Sequence, residues 1–480
     1  MITISGPKYT NEFIFIYIDR DFNPIKVSPY ELQNLNLDIA NDACFYFLRY
    51  GFVPPPMTIY ANLICLPVGL DALFDVKNRS IHFRDNFRFV SGKSLENSKP
   101  DLDTLKKEIH ESVKKCLSIS SENILMQSGG KDSTVLVQAL SQFQESHKIR
   151  SVTYEAGFRD QESSVAKSIS HHYGLEHQTI TPDYGLEFSL LTKHYAMQNS
   201  ILSADCTLPA YLNALSKFKG ANVIDGLGND MYMGYIGTNI EKFLGYFNLA
   251  WLQKYEPSKV SNSEILNYGI STIFMTSEER MFPGTKLAVS EIKNIFGLKQ
   301  EKYFRDFISK TAKNFDIDDS KASIRARFCD YALFQTKGLQ ASILSNNKIT
   351  FPFGEDGIFE YYFGLPKNLR YSEKKRLNKV YLRKFLDSFE VDKTFINNKS
   401  GFRYDMEAFI LHNAIEIKEV LSDSKLFKGD VNSFLSSHLN NINYTSASKI
   451  YILVSYVLWM KSNKLKNHVK SHLASNFFKL

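Results

Sequence analysis

The chain has 480 residues, of which 44% are hydrophobic and 23% charged. That balance excludes a disordered or fibrous chain and leaves room for several cores, roughly two or three domains at about 150 residues each. Lysine plus arginine number 58 and aspartate plus glutamate 51, and a net charge of +7 over this length does not by itself call for nucleic acid.

Residues Glu12 to Val27 alternate apolar and polar around Asp-Phe-Asn-Pro, the pattern of a hairpin. A strand-rich piece is expected from Phe45 to Phe89. Val90 to Asp103 is polar, with Gly, Ser and Pro, and reads as a linker. Helical spacing then appears at Leu105, Ile109, Val113 and Cys116. Strands are expected at Asn123–Gln127, Ser151–Tyr154, His177–Ile180 and Asn222–Asp225. Helices are expected between them at Asp132–Phe143, Glu162–Tyr173 and Leu208–Lys217. Strands alternating with helices of this length predict an α/β fold, a parallel sheet flanked by helices. From Gly245 onward the pattern is mainly helical. Tyr451 to Met460 is apolar but too short to span a bilayer, and it is expected as a buried helix.

Cys44, Cys65, Cys116, Cys206 and Cys329 lie far apart with no CxxC pair. This argues against a disulfide scaffold or a zinc site and favours the cytoplasm. The start, Met1-Ile2-Thr3-Ile4, lacks a basic stretch followed by a long apolar run, so no secretory signal is expected.

The most informative segment is Ser128-Gly129-Gly130-Lys131-Asp132-Ser133 between an apolar strand and a helix. Two glycines let the backbone approach an anion closely. The first amides of the helix have no intrahelical partners and point at a phosphate. Ser128 and Ser133 can donate hydroxyl hydrogen bonds. Asp132 suits a Mg²⁺ that itself holds phosphate oxygens. The Walker pattern is absent. SGGxDS after a strand resembles the pyrophosphate-loop ATPases, which split ATP between the α- and β-phosphates.

A second segment, Asp225-Gly226-Leu227-Gly228-Asn229-Asp230-Met231-Tyr232-Met233-Gly234-Tyr235, resembles the SGEGGDELFGGY motif of the asparagine synthetase family. Gly226, Gly228, Asp230 and Gly234 match. Further matches are Tyr50 to Ile59, Leu66 to Gly69, Phe351 to Glu355, Lys379-Val-Tyr-Leu-Arg383 and Lys399-Ser-Gly401-Phe402. Glu162 stands near the family's DE pair and His177 near its helix-to-strand turn. Together the matches run from about residue 45 to 410.

The resemblance implies an adenine nucleotide alpha hydrolase-like fold of HUP type. It divides the chain into a truncated β-rich front region (1–90), a linker (91–103), an ATP-pyrophosphatase domain (104–410) and a helical extension (411–480). It implies an AMP- and pyrophosphate-forming C–N ligase using ATP and Mg²⁺. Gln127, Ser128, Gly129, Gly130, Asp132, Ser133, Tyr154 and Gly226 would bind the nucleotide. Asp132 and Asp230 would hold the metal. Lys399, with Asp132 and Asp230, would serve the chemistry by neutralising charge at the reacting phosphate. Lys379 and Arg383 would either contact pyrophosphate or decorate a helix.

Two departures bear on substrate. Residue 2 is Ile, where glutamine-using members have a nucleophilic Cys, and only about 100 residues precede the loop domain. Nitrogen would come from ammonia, a separate glutaminase, or an amine of the substrate. Leu227 and Met231 replace the two Glu of the motif. Leu227 binds no ammonium, which points to a bulkier small-molecule or peptide carboxylate and an amide product, a lactam included. Tyr154, Glu155, Tyr331, Lys348 and Glu355 are candidate replacement bases. The alternatives are a sulfur- or nitrogen-inserting enzyme acting on RNA, with the basic tail from Lys461 as its surface, and a non-catalytic nucleotide-binding homologue. The later motifs favour the ligase, for which no nucleic acid partner is expected.

Overall fold

The structure, a computed structural model, describes residues 1–8, 12–86, 100–155, 162–230, 236–244, 250–256, 264–277, 279–282, 286–299, 317–392, 396, 402–422, 425–464, 466–470 and 472. The front region supplies β1 (Ile2–Ile4), β2 (Ile14–Ile18), β3 (Pro24–Val27), β4 (Ile39–Ala40), helix α1 (Asn41–Tyr50), β5 (Leu63–Leu66), β6 (Leu70–Asp75) and β7 (Ser80–Asp85). Strand β2 pairs antiparallel with β3 and β5, and β6 with β1 and β7. The expected hairpin is β2–β3. Its turn is tied by Asp19, whose Oδ1 accepts from the amides of Asp21 (2.9 Å) and Asn23 (2.8 Å).

The strand-rich reading of Phe45 to Phe89 is corrected at its start. Phe45, Tyr46 and Phe47 favour strands intrinsically, yet they lie in α1, nearly all of which is buried. Packing on every side overrides the propensity. Gly51, at φ +85°, takes the left-handed conformation that ends the helix.

The central unit begins with α2 (Leu102–Cys116), which Asp101 caps by accepting from the amides of Asp103 and Thr104, both at 3.2 Å. It continues through β8 (Asn123–Met126), α3 (Lys131–Ser141), β9 (Ile149–Tyr154), α4 (Glu162–His172), β10 (Glu176–Ile180), α5 (Tyr184–Ala196), α6 (Leu208–Ser216), β11 (Asn222–Asp225) and β12 (Lys348–Thr350). The five strands pair in the order β10-β9-β8-β11-β12, all parallel. This is the α/β architecture expected from the alternation of elements.

Side chains alternate across the sheet, so successive residues feed different cores. Ile124 and Val223 face the larger one, which also holds the front region, α5, α6 and the helix Tyr444–Ser462. Leu125 and Ile224 face the other, against α2, α3 and the segments around Ile358 and Tyr381. The apolar run Tyr451–Met460 is buried within the helix Tyr444–Ser462. Among the described residues no helix is long and apolar enough to cross a membrane. The chain leaves β8 in one direction toward β9 and β10, then returns to the other side of β8 for β11. Ligands of open α/β sheets bind outside the strand ends at such a reversal.

Candidate active site

The loop Gln127–Gly130 sits at that reversal. Ser133 Oγ donates to Ser128 O (2.5 Å) and lies 3.2 Å from Ser128 Oγ, and Gly130 N donates to Ser128 Oγ (3.2 Å). The loop is thus folded on itself by its two serines. Helix α3 starts at Lys131 with Gly130 in the capping position, and no side chain caps it. Its first amides remain available to an anion.

From β11 the chain turns through Gly226 to Asp230. Asp225 holds the turn, accepting from Leu227 N (3.0 Å) and Tyr211 Oη (2.7 Å). A Cβ on Gly226 would lie 3.3 Å from Leu136 Cδ1 and 3.6 Å from Asp132 Cβ, so glycine lets this turn lie against α3. Gly228 stands at φ +106°, which disfavours any side chain. Asn229 Nδ2 then donates to Asp132 Oδ1 at 2.5 Å, joining the two loops.

Between Asp132 and Asp230 stands the ammonium of Lys379. It ion-pairs with Asp132 and lies 2.8 Å from Asp230 Oδ1. Burial alone would favour the neutral amine, but the two carboxylates outweigh it and hold the Lys379 pKa above its ordinary value. For Asp230, burial raises the pKa, while Lys379, Arg325 and Lys131 lower it further, leaving it below the usual value. Lys379 adopts φ +56° at the start of the helix Val380–Leu386, a strained conformation of the kind held at functional sites.

These residues line one cleft of about 530 Å³. It gathers Gln127, Ser128, Gly130, Asp132, Ser133, Tyr154, Gly226 and Asp230 with Lys131, Lys379, Arg383, Arg325, Gln335 and Lys337. Gly129 is not among the lining residues, and its amide donates to Glu162 Oε1 at 3.1 Å. Gln127 turns its carboxamide toward α4, donating to Ala166 O at 2.9 Å. Lys399, Met231 and Gly234 lie outside the described residues.

Among the candidate bases, Tyr154 lines the cleft, but its hydroxyl donates to Glu187 Oε1 (2.7 Å). Burial first, and then the Glu187 carboxylate, holds its pKa far above the ordinary phenol value, so it stays protonated. Tyr331 is fully buried against the front region, donating to Glu12 O (2.9 Å) and accepting from Ile14 N (3.1 Å). Glu155, Lys348 and Glu355 are not among the lining residues.

Sequence reasoning did not single out Arg325, Gln335, Lys337 or Tyr211. The first two bound a run of π-helical backbone, Arg325–Gln335, set between the α-helical segments Ile317–Ile324 and Thr336–Ser345. Such backbone is rare and concentrates at functional sites, and it has no sequence signature of its own.

The donor set suits a hard divalent cation: two carboxylates, Asp132 in the first turn of α3 and Asp230 after the β11 turn, opposed across a gap that already holds a positive charge.

Residues 104–224 match the asparagine synthase family model. The matched segment includes the serine- and glycine-rich loop and Asp132. A protein of Methanocaldococcus jannaschii, provisionally named asparagine synthetase 2, glutamine-hydrolyzing, is 25% identical over 169 residues. That alignment covers 35% of this chain and 32% of the relative, so the chain is matched over about a third of that protein. Asp230, Lys379 and Lys399 lie beyond the residues matched by the family model.

Proposed function

We propose that the protein is an ATP-dependent ligase that adenylates a carboxylate and passes the acyl group to ammonia or an amine. The observation that carries this reading is the convergence, in one cleft at the strand ends, of the Ser128–Ser133 loop, Asp132, Asp230 and three cations, Lys131, Lys379 and Arg383. The asparagine synthase match supports ATP-dependent amidation as the reaction class.

The triphosphate lies over the amides that open α3, with the Ser128 and Ser133 hydroxyls as further donors. A substrate carboxylate oxygen attacks the α-phosphorus, the bond to the β-phosphate oxygen breaks, and pyrophosphate departs. Lys379 and Arg383 stabilise the charge gathering on pyrophosphate, and Lys399, by the family resemblance, does so at the reacting centre. The amine then attacks the acyl carbon, AMP leaves, and the amine proton passes to solvent or a nearby base. Mg²⁺ held by Asp132 and Asp230 would supply charge neutralisation across the phosphates. Lys379 would move aside or share the carboxylates when the ion binds.

Pyrophosphate exchange into ATP tests this directly. A carboxylate should stimulate exchange by the full-length protein, and Asp132→Ala should abolish it. Undiminished exchange in that variant would sink the assignment.

A further inference from the structure

His177 stands on the edge strand β10, directly across from Ser151 of β9. A line of short hydrogen bonds runs from its ring, past α4, to the first residue of the loop Gln127–Gly130. His177 Nδ1 lies 2.8 Å from Ser151 Oγ, Ser151 Oγ lies 2.8 Å from Ser170 Oγ, and Ser170 Oγ lies 2.5 Å from Gln127 Oε1. Both serines are fully buried.

Counting protons gives each bond its direction. Gln127 Nε2 donates to Ala166 O at 2.9 Å, so the other end of that carboxamide is the oxygen, which only accepts. Ser170 therefore gives its single hydroxyl proton to Gln127, and Ser151 donates to Ser170. With the Ser151 proton engaged there, the ring donates from Nδ1. Glu176 O, at 3.1 Å from Ser151 Oγ, is the longer alternative. Burial first, then His171 and Lys167, lower the His177 pKa from 6.5 to about 4, so the ring is neutral and Nδ1–H is the tautomer this line requires.

We propose that His177 is a positioning residue for nucleotide binding, which holds the loop Gln127–Gly130, through Ser151 and Ser170, in the shape that receives the triphosphate. This rests on the ATP reading above and assigns a further residue to it. Gln127 lines the cleft. Its backbone is tied to β9, the amide donating to Val152 O (2.8 Å) and the carbonyl accepting from Thr153 Oγ1 (2.9 Å). Its side chain ties it to α4, the helix whose Glu162 Oε1 accepts from Gly129 N (3.1 Å). The line of hydroxyls in turn fixes α4 to the two outer strands β9 and β10. A fully satisfied buried network makes its members rigid, whereas a broken one leaves polar atoms unpaired. A loop ordered before ATP arrives bears little ordering cost on binding.

The experiment measures the ATP Kd by calorimetry, and the Tm without ATP, for the full-length parent and three variants. Asn places a donor where Nδ1 stands, so His177→Asn should keep the ATP Kd within about twofold of the parent. His177→Leu and Ser170→Ala break the line at its two ends and should raise the Kd by roughly three- to tenfold, the cost of ordering one or two side chains on binding. A purely structural role would lower the Tm of these two variants and leave their ATP Kd at the parent value. That result, with exchange still abolished in Asp132→Ala, would overturn this inference and keep the adenylation reading. His177→Asn as weak as His177→Leu would also overturn it, because the donor at Nδ1 would then not matter. No ATP binding by the parent would overturn both.

Discussion

Lys379 Nζ lies 2.8 Å from Asp230 Oδ1 while also pairing with Asp132, so a single ammonium spans the two carboxylates read from the sequence as a metal pair. The side chain of Lys379 is nearly buried, at 8% exposure. Without it the two carboxylates would lose the cation they share. Lys379→Met should lower carboxylate-dependent pyrophosphate exchange by about 10²-fold or more, the scale for removing one charge-stabilising group. It should also raise affinity for Mg²⁺ measured calorimetrically without nucleotide, because the cation competing for the gap is gone. Identical Mg²⁺ titrations of the variant and the parent would show that the ammonium does not hold that gap.

The turn before Asp230 offers a backbone test. Gly228 stands at φ +106° and lines the cleft. A side chain there should cost about 1–3 kcal/mol in strain. Gly228→Ala should lower the urea midpoint accordingly and depress exchange further, because Asp230 follows two residues later. A variant with the parent's midpoint would mean that the turn relaxes without penalty.

The legible part of the molecule is where local chemistry and tertiary position agree. Asn123–Met126, the two glycines and α3 were readable together, because an apolar run, a Gly-Gly turn and a helical period each point to the same strand-loop-helix. Strand β12 was not readable. Lys348–Thr350 is three residues long and begins on an exposed lysine, and only its pairing with β11 makes it a strand. Helix α5 was missed because buried residues as varied as Glu187, Phe188, Leu190, Leu191 and His194 leave no clean stripe. In the site, the two aspartates and Lys379 all carried motif signals, but the place of the ammonium between the carboxylates, 247 positions along from Asp132, comes only from the fold.

Arg49 anchors α1 to the segment between β11 and β12. It is 0% exposed and contacts Glu256 Oε2 (2.6 Å), Glu279 Oε1 (3.0 Å) and Leu287 O (2.9 Å). Arg49→Met leaves two buried carboxylates without their cation and should cost about 3–5 kcal/mol. Arg403→Ala, which breaks a solvent-exposed pair with Glu407 at 3.3 Å, should cost less than about 1 kcal/mol. Urea denaturation of the two variants checks the contrast. Equal losses would contradict the buried network.

His194 predicts an acid limit to stability. It is 2% exposed, and its Nε2 lies 3.0 Å from Gln340 Nε2, an amide donor, so the ring accepts there and is neutral. Burial pushes its pKa down from 6.5 to about 4. Between those values the unfolded chain binds a proton that the folded one does not, so stability falls as pH falls through this window and is complete above pH 6.5. Over the full window the loss from His194 is about 3 kcal/mol. His177, pushed by burial and then by His171 and Lys167 to about 4, adds in the same direction. Urea denaturation at pH 7, 5.5 and 4 should show this slope in the parent and a shallower one in His194→Gln, which has no ring to protonate. Parallel slopes in the two proteins would remove His194 as the cause.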